Sequence, residues 1–114
     1  MKPFTTILLL TLGAATSTTA NPASRCAAKN GAIQDAIDLF CTNTHIMVPS
    51  QWAHDGLQFG NAHVSIRGHC SPAQWVPQQY CVSQFQHLCA GTYGGFGFAH
   101  YGEGGCQEFR IVEA

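Results

Sequence analysis

Charge is what this sequence has least of. Charged residues make up 10% of its 114 positions, and five lysines and arginines stand against six acidic residues. A protein that binds nucleic acid presents clustered Lys and Arg on one face or along one helix. The sequence has no such cluster, so we expect no nucleic-acid partner.

Long apolar runs are also scarce, and the one that exists lies between Ile7 and Ala15. It is shorter than the roughly 20 apolar residues that span a membrane. A basic residue precedes it and small residues follow it up to Ala20, which is the three-part pattern of a secretory signal peptide. The sequence therefore predicts a cleaved signal peptide, 1–20, and a secreted, extracellular single domain, 21–114, without a membrane span.

Spacings that mark metal sites are missing, since the sequence has no Cys-x-x-Cys and no two histidines one helical turn apart. We therefore expect no metal, no other cofactor and no enzymatic activity. The alternative is a small secreted ribonuclease, because general acid–base chemistry needs only a few convergent groups. Its residues would be His63 or His100 as base and acid, Glu103 or Glu108 as the carboxylate, and Arg67 on the phosphate.

Cysteine is the residue type that the chain has in unusual number. An even count in a short secreted chain predicts a disulfide framework, here of three bridges. Such bridges suit a domain too small to bury a large core. The six predicted disulfide cysteines are Cys26, Cys41, Cys70, Cys81, Cys89 and Cys106.

Two helices with apolar stripes are predicted, and they limit how these cysteines can pair. The first is capped by Asn30 and continues to Cys41, and the second covers Gln78 to Ala90. Cys81 and Cys89 would lie about 12 Å apart on the second helix, beyond the roughly 7 Å that a disulfide can bridge. The first helix likewise separates Cys26 from Cys41. Ten of the fifteen connectivities of six cysteines remain open.

Alternating and turn-bounded segments predict four strands and place loops between them. The strands are His45 to Val48, Ala62 to Gly68, Tyr93 to Tyr101 and Cys106 to Val112, with loops over Ser50–His54 and Ser71–Trp75. The order α-β-β-α-β-β favours an α+β two-layer sandwich, in which two helices pack on one face of a four-stranded, mainly antiparallel sheet. We expect a monomer.

Candidate binding residues are aromatic side chains in loops and polar side chains on one strand face. Exposed tryptophan is enriched at binding hot spots, and aromatic faces can stack on sugar rings. The candidates are Trp52, Trp75, Tyr93 and the outward-facing His63, Arg67 and His69. Phe96 and Phe98 alternate with glycine and are expected to face the core, although a ligand-binding strand is the other interpretation.

The sequence resembles a group of small secreted cysteine-rich fungal proteins. The resemblance is carried by the signal peptide, the helix that ends at Phe40-Cys41, the strand Val64–Ile66 before Cys70, the Cys81–Cys89 helix, and Tyr101-Gly102 before Gly105-Cys106-Gln107. In element order the chain is similar to the killer-toxin-like α/β sandwich effectors and, more loosely, to the mushroom glycan-binding lectin-like family. Neither family supplies a binding motif that matches residue by residue.

This resemblance implies a non-catalytic effector or toxin-like protein that acts outside the producing cell on a host or a competitor. The partner would be a host or competitor protein or a cell-surface glycan. A secreted carbohydrate-binding protein is the alternative, and the ribonuclease is the second. Because one scaffold can carry each of these functions, the fold does not choose between them.

Overall fold

The computed structural model describes residues 21–114, and the predicted signal peptide lies outside the described residues. This part of the chain contains four α-helices: α1 (Pro22–Lys29), α2 (Gly31–Phe40), α3 (Gln51–Asp55) and α4 (Gln78–Gly91). It contains six strands: β1 (Ile46–Val48), β2 (Leu57–Phe59), β3 (Ala62–Gly68), β4 (Gln74–Val76), β5 (Gly97–Tyr101) and β6 (Gln107–Glu113). The predicted α+β class is confirmed.

Antiparallel pairing divides the strands between two sheets. The larger sheet has the order β2-β3-β6-β5, and β1 pairs with β4 in a separate two-stranded sheet. The predicted four-stranded sheet is therefore present, but its membership differs from the prediction. The segment expected to supply its fourth strand, His45 to Val48, pairs with β4 instead, and β2 takes that place.

Two short helices, α1 and α3, were not predicted, and each begins at a side-chain cap. The side chain of Asn21 accepts a hydrogen bond from the backbone of Ser24 at the start of α1, which was not predicted. The hydroxyl of Ser50 accepts one from the backbone of Ala53, so the predicted loop over Ser50–His54 begins a helix. A side-chain oxygen that satisfies an early backbone N–H stabilises a helix of any length.

Helices α1, α2 and α4 form a layer on one face of the larger sheet, which we call the inner face. Helix α2 contacts β2 and β3, α4 contacts β5 and β6, and α1 packs on α2 and α4. Lys29 at the end of α1 donates hydrogen bonds from Nζ to the carbonyl oxygens of Ala90 and Thr92, both at 2.6 Å. A cation thereby meets the unpaired carbonyls at the carboxyl end of α4, where the helix dipole favours it.

Three disulfides connect the layers, so the prediction that all six cysteines pair is confirmed. Cys26–Cys89 joins α1 to α4, Cys41–Cys81 joins the end of α2 to α4, and Cys70–Cys106 links the chain after β3 to the chain before β6. The two pairings that helix geometry excludes do not occur. Two bridges tie helices together, as expected, while the third joins the ends of neighbouring strands.

The core lies between the helices and the inner face. Phe85 of α4 is fully buried, with its ring centroid 5.7 Å from that of Phe40 and 4.6 Å from that of Phe109. Strand β3 contributes the buried side chains of Val64 and Ile66. Because neighbouring residues of a strand point to opposite faces, the other side of the sheet receives the intervening polar side chains.

The prediction that Phe98 faces the core is wrong. Its side chain is 63% exposed, while its strand neighbours Gly97 and Ala99 point toward the helices. A Cβ added at Gly97 would lie 2.8 Å from a methyl carbon of Thr92, so this inner position has no room for a large side chain. The prediction that side chains alternate along this strand is correct, but Phe98 lies on the face away from the helices. Phe96, which precedes β5, is partly buried against the core.

Candidate functional site

The face of the larger sheet opposite the helices, here called the outer face, carries the closest gathering of charged and aromatic side chains. Within residues 21–114, no helix packs over β5 and β6 on this side, where Phe98 and Val112 remain exposed. The face-defining residues are Arg67 of β3, Phe98 and His100 of β5, and Glu108, Arg110 and Val112 of β6.

Glu108 is at the centre of this gathering because of the strand register. Arg67 lies opposite it on β3 and His100 lies opposite it on β5. One carboxylate oxygen of Glu108 is 3.6 Å from His100 Nε2, and the other accepts a hydrogen bond from Arg110 Nη1 at 3.2 Å. The single carboxylate therefore positions two neighbouring cationic or titratable groups.

A cleft of about 420 Å³ opens beside Glu108. We call it the outer-face cleft and define it by Arg67, His69, His100, Glu108 and Arg110, all of which line it. Gly105 and Cys106 also line it, so the cleft adjoins the Cys70–Cys106 disulfide. The cleft thus draws side chains from β3, β5 and β6.

The outer-face cleft is positive although the rest of the domain is not. Residues 21–114 contain four lysines and arginines and six acidic residues, yet the cleft has two arginines and one glutamate. Arg67 is exposed and makes no ion pair with any residue of 21–114. His69 and His100 also line the cleft, and histidine is the side-chain type that can gain a positive charge on acidification.

An apolar ledge adjoins the cleft on the same face. We call Phe98 and Val112 the Phe98 ledge; Phe98 lies directly opposite Arg110, and Val112 follows Arg110 by two residues on β6. The Phe98 ring centroid is 6.3 Å from that of His100, with the two rings nearly perpendicular. Arg110 consequently stands between the ledge and the carboxylate of Glu108.

The three histidine and arginine residues predicted on the strand face are not all brought together. Arg67 and His69 line the outer-face cleft. His63 lies near the other end of β3, where its Nε2 is 2.8 Å from the carbonyl oxygen of Asp55. His63 therefore contacts the end of α3 and does not belong to the cleft.

Trp75 belongs to a second cleft, also of about 420 Å³, between β4, α4 and the turn after β5. It lies on β4 and not in a loop as predicted, and its indole N–H donates a hydrogen bond to the carbonyl oxygen of Thr44. We call this the Trp75 cleft; its side chains are Gln74, Trp75, Tyr80, Gln84, Glu103 and Gln107. The Trp75 and Tyr80 side chains are about half exposed, and neutral amides form much of the lining.

Trp52 and Tyr93 line neither of these two clefts. Trp52 lies on α3, not in a loop, and stacks on Phe40 with the ring centroids 5.7 Å apart. Its exposure of 40% is therefore that of a side chain covering the core. Tyr93 is fully exposed in the turn after α4.

The residues predicted for a ribonuclease active site are also divided between different parts of the structure. Arg67, His100 and Glu108 share the outer-face cleft, whereas His63 contacts Asp55 and Glu103 lines the Trp75 cleft. Within residues 21–114, no three His, Cys, Asp or Glu side chains converge as metal ligands.

One tyrosine on the inner face, Tyr101, has a raised pKa. Burial raises the pKa of Tyr101 above its usual value of 10.0. Its hydroxyl donates a hydrogen bond to the carbonyl oxygen of Gln84 at 3.4 Å. Tyr101 also packs against Phe109, so it belongs to the core and not to either cleft.

Comparison of the chain with models of protein families, with curated proteins and with solved structures finds no match. Sequence reasoning missed Arg110, although the period-2 pattern of Phe109 and Ile111 was recognised and places Arg110 on the opposite face. It also missed Tyr80, for which the sequence has no signal, because the Trp75 cleft forms only when β4 and α4 are folded together.

Proposed function

We propose that this protein is a secreted, non-catalytic effector or toxin-like protein of a fungus that acts extracellularly on a host or a competitor. Its target would bind at the outer face. The observation that carries the proposal is the exposed Phe98 beside Arg110, on the part of the sheet over β5 and β6 that no helix of residues 21–114 covers from this side. Three disulfides support an extracellular role.

The composition of the outer face is that of a recognition surface more than of a merely solvated one. The solvent side of an antiparallel sheet is normally polar, and folding does not require a phenylalanine that is 63% exposed. Aromatic residues and arginine are the types enriched at protein interfaces and their hot spots. Phe98 and Arg110 are direct cross-strand neighbours, so one partner group could contact both.

The test applies purified protein to host tissue and to cultures of competing microbes, and measures defence responses and growth. We expect the double variant Arg67→Gln/Phe98→Ala to lose at least about tenfold in potency, because hot-spot truncations cost about 2 kcal/mol or more. Arg25→Gln is the matched control, since Arg25 is exposed on α1 in the helix layer. Full potency of the double variant would contradict the outer face as the binding surface.

Incubation with RNA tests the non-catalytic part of this proposal. We expect the RNA to remain intact, because the His100 side chain is 56% exposed and charge stabilisation in catalysis depends on excluding water. RNA cleavage that the His100→Gln variant no longer performs would overturn the proposal in favour of a ribonuclease.

Carbohydrate binding is the second candidate function, and the Trp75 cleft is the observation that favours it. Two half-exposed aromatic side chains, Trp75 and Tyr80, border neutral amide groups. Gln107 Nε2 donates to Gln74 Oε1 at 3.0 Å, and Gln74 Oε1 also accepts from the backbone of Glu103. Aromatic faces and fixed polar groups are the elements of a pocket for a small polar ligand such as a sugar.

Glycan arrays and pull-downs on chitin and glucan test this candidate. Trp75→Ala should reduce retention at least about tenfold if its ring is the stacking platform. Tyr93→Ala removes an even more exposed aromatic ring outside the cleft and should retain wild-type binding. Absence of any retained glycan with the wild-type protein, or equal losses in the two variants, would remove this candidate.

A further inference from the structure

The outer-face cleft concentrates positive charge in a domain that is otherwise short of it. Half of the lysines and arginines in residues 21–114 line this one depression. We infer that the cleft binds a tetrahedral oxyanion ester, a phosphate or a sulfate, whose apolar part rests on the Phe98 ledge. This deepens the proposed function, because it names the chemical group that the outer face would recognise.

The two arginines differ in their ion pairing, and this difference suits an anion bound between them. Arg110 is held by Glu108 at 3.2 Å, which fixes its guanidinium at the boundary between cleft and ledge. Arg67 has no ion pair within residues 21–114 and keeps its donors for a ligand. A guanidinium offers a planar fork of donors that matches phosphate and sulfate oxygens.

Glu108 is the only carboxylate that lines the cleft, and it does not cancel the field. It has Arg67 opposite it on β3, His100 opposite it on β5, and Arg110 two residues later on β6. With neutral histidines the lining carries one net positive charge. Glu108 therefore orders two of its neighbours while the cleft stays positive.

Acidification should strengthen this site. The titratable and charged groups that face the cleft are Arg67 and His69 from the β3 side, His100 from β5, and Glu108 and Arg110 from β6, while Glu113 lies beside the Phe98 ledge. Protonation of both histidines would raise the net charge of the lining from +1 to +3. Anion affinity is thus expected to rise between about pH 7.5 and pH 5.5.

The Phe98 ledge distinguishes an ester with a ring from a bare ion. Phe98 is 63% exposed and lies directly across from Arg110, so a ring can lie on the phenyl face while its ester oxygens meet the guanidinium. Inorganic sulfate could reach only the arginines and histidines. Selectivity for the aromatic ester is therefore the property that Phe98 should control.

The experiment titrates the full-length secreted protein with phenyl sulfate, followed by calorimetry and by the NMR signals of the His69 and His100 rings. The charge of phenyl sulfate does not change over this range, so any pH dependence belongs to the protein. We expect binding about tenfold tighter at pH 5.5 than at pH 7.5. The double variant His69→Gln/His100→Gln should lose this pH dependence, while His87→Gln, an exposed histidine on α4, should keep it.

Variants of the charge and the ring separate the parts of the site. Arg67→Gln should weaken phenyl sulfate at least about fivefold, whereas Arg25→Gln should leave it unchanged. Phe98→Ala should weaken phenyl sulfate about fivefold or more and leave inorganic sulfate within about twofold. No saturable binding at pH 5.5, or the same affinity in Arg67→Gln as in the wild type, would overturn the inference.

Phenyl phosphate and phenyl sulfate compared at pH 5.5, where both carry about one negative charge, identify which ester the cleft prefers. These measurements need no host or competitor, so they test this inference separately from the proposed function. Outer-face variants that lose biological potency while the wild type binds neither ester would overturn this inference and leave the proposed function standing. Ester binding by a protein without extracellular activity would contradict the proposed function and leave this inference standing.

Discussion

Replacing Cys41 and Cys81 together by alanine is expected to lower the free energy of unfolding by about 4 kcal/mol. The bridge closes a loop with a sequence separation of 40 residues. In the chain-entropy model a loop of that length contributes about 4 kcal/mol by restricting the unfolded chain. Both cysteines are also buried, so alanine removes packing at the junction of α2 and α4. Urea denaturation of the two proteins measures the difference.

The Cys70→Ala/Cys106→Ala variant is the matched control for this experiment. Its bridge has a sequence separation of 36 residues, so the chain-entropy contribution is nearly the same. Cys106 is only partly buried, and less packing is therefore lost than at Cys41 and Cys81. We expect the Cys41/Cys81 variant to be the less stable of the two. A loss below about 1 kcal/mol in both would show that these bridges constrain the unfolded chain little.

Phe85→Ala should lower the free energy of unfolding by about 3–5 kcal/mol, the range found for truncating a buried phenylalanine. Phe85 is fully buried, and its ring contacts those of Phe40 and Phe109. These rings come from α4, α2 and β6, so the cavity would open where the helix layer meets the sheet. Denaturant unfolding monitored by circular dichroism gives the value.

Phe98→Ala makes the same chemical change on the opposite face and is the control for Phe85→Ala. Because Phe98 is 63% exposed, its loss should change stability by no more than about 0.5 kcal/mol. Comparison of the two variants would thus distinguish Phe85, which stabilises the fold, from Phe98, which is proposed to bind the partner. Equal destabilisation by both substitutions would contradict the assignment of Phe98 to the outer face.

The long elements were predictable because their apolar residues repeat at a regular period. Helices α2 and α4 and strand β3 lie within a residue or two of their predicted bounds. Each gains its stability from a face that is apolar over several turns or alternations, and that property is written in the local sequence.

The short elements were not predictable in the same way. Strands β1 and β2 have three residues each, so their period carries little information, and the partner strand decides which sheet they join. The caps at Asn21 and Ser50 were present in the sequence but were not recognised as helix starts. For Phe98, alternation indicates two faces, but the position of α4 decides which is inner.

The candidate site was partly predictable for a related reason. Arg67 and His69 could be placed on one polar side of β3 from the alternation alone. Their meeting with His100, Glu108 and Arg110 depends on the register of three strands, and two of these strands are distant from β3 in sequence. Local patterns predict the face of a side chain, whereas pairing determines its neighbours.

The position of the Cys70–Cys106 bridge couples the outer-face cleft to redox conditions. Cys106 lines the outer-face cleft, and Cys70 directly follows His69, which also lines it, so one covalent bond joins two segments of the lining. A reducing environment would remove this link, and it would act in the same way on the two bridges that tie the helices together. Reduction is therefore expected to loosen the lining of the cleft together with the connection between the helices.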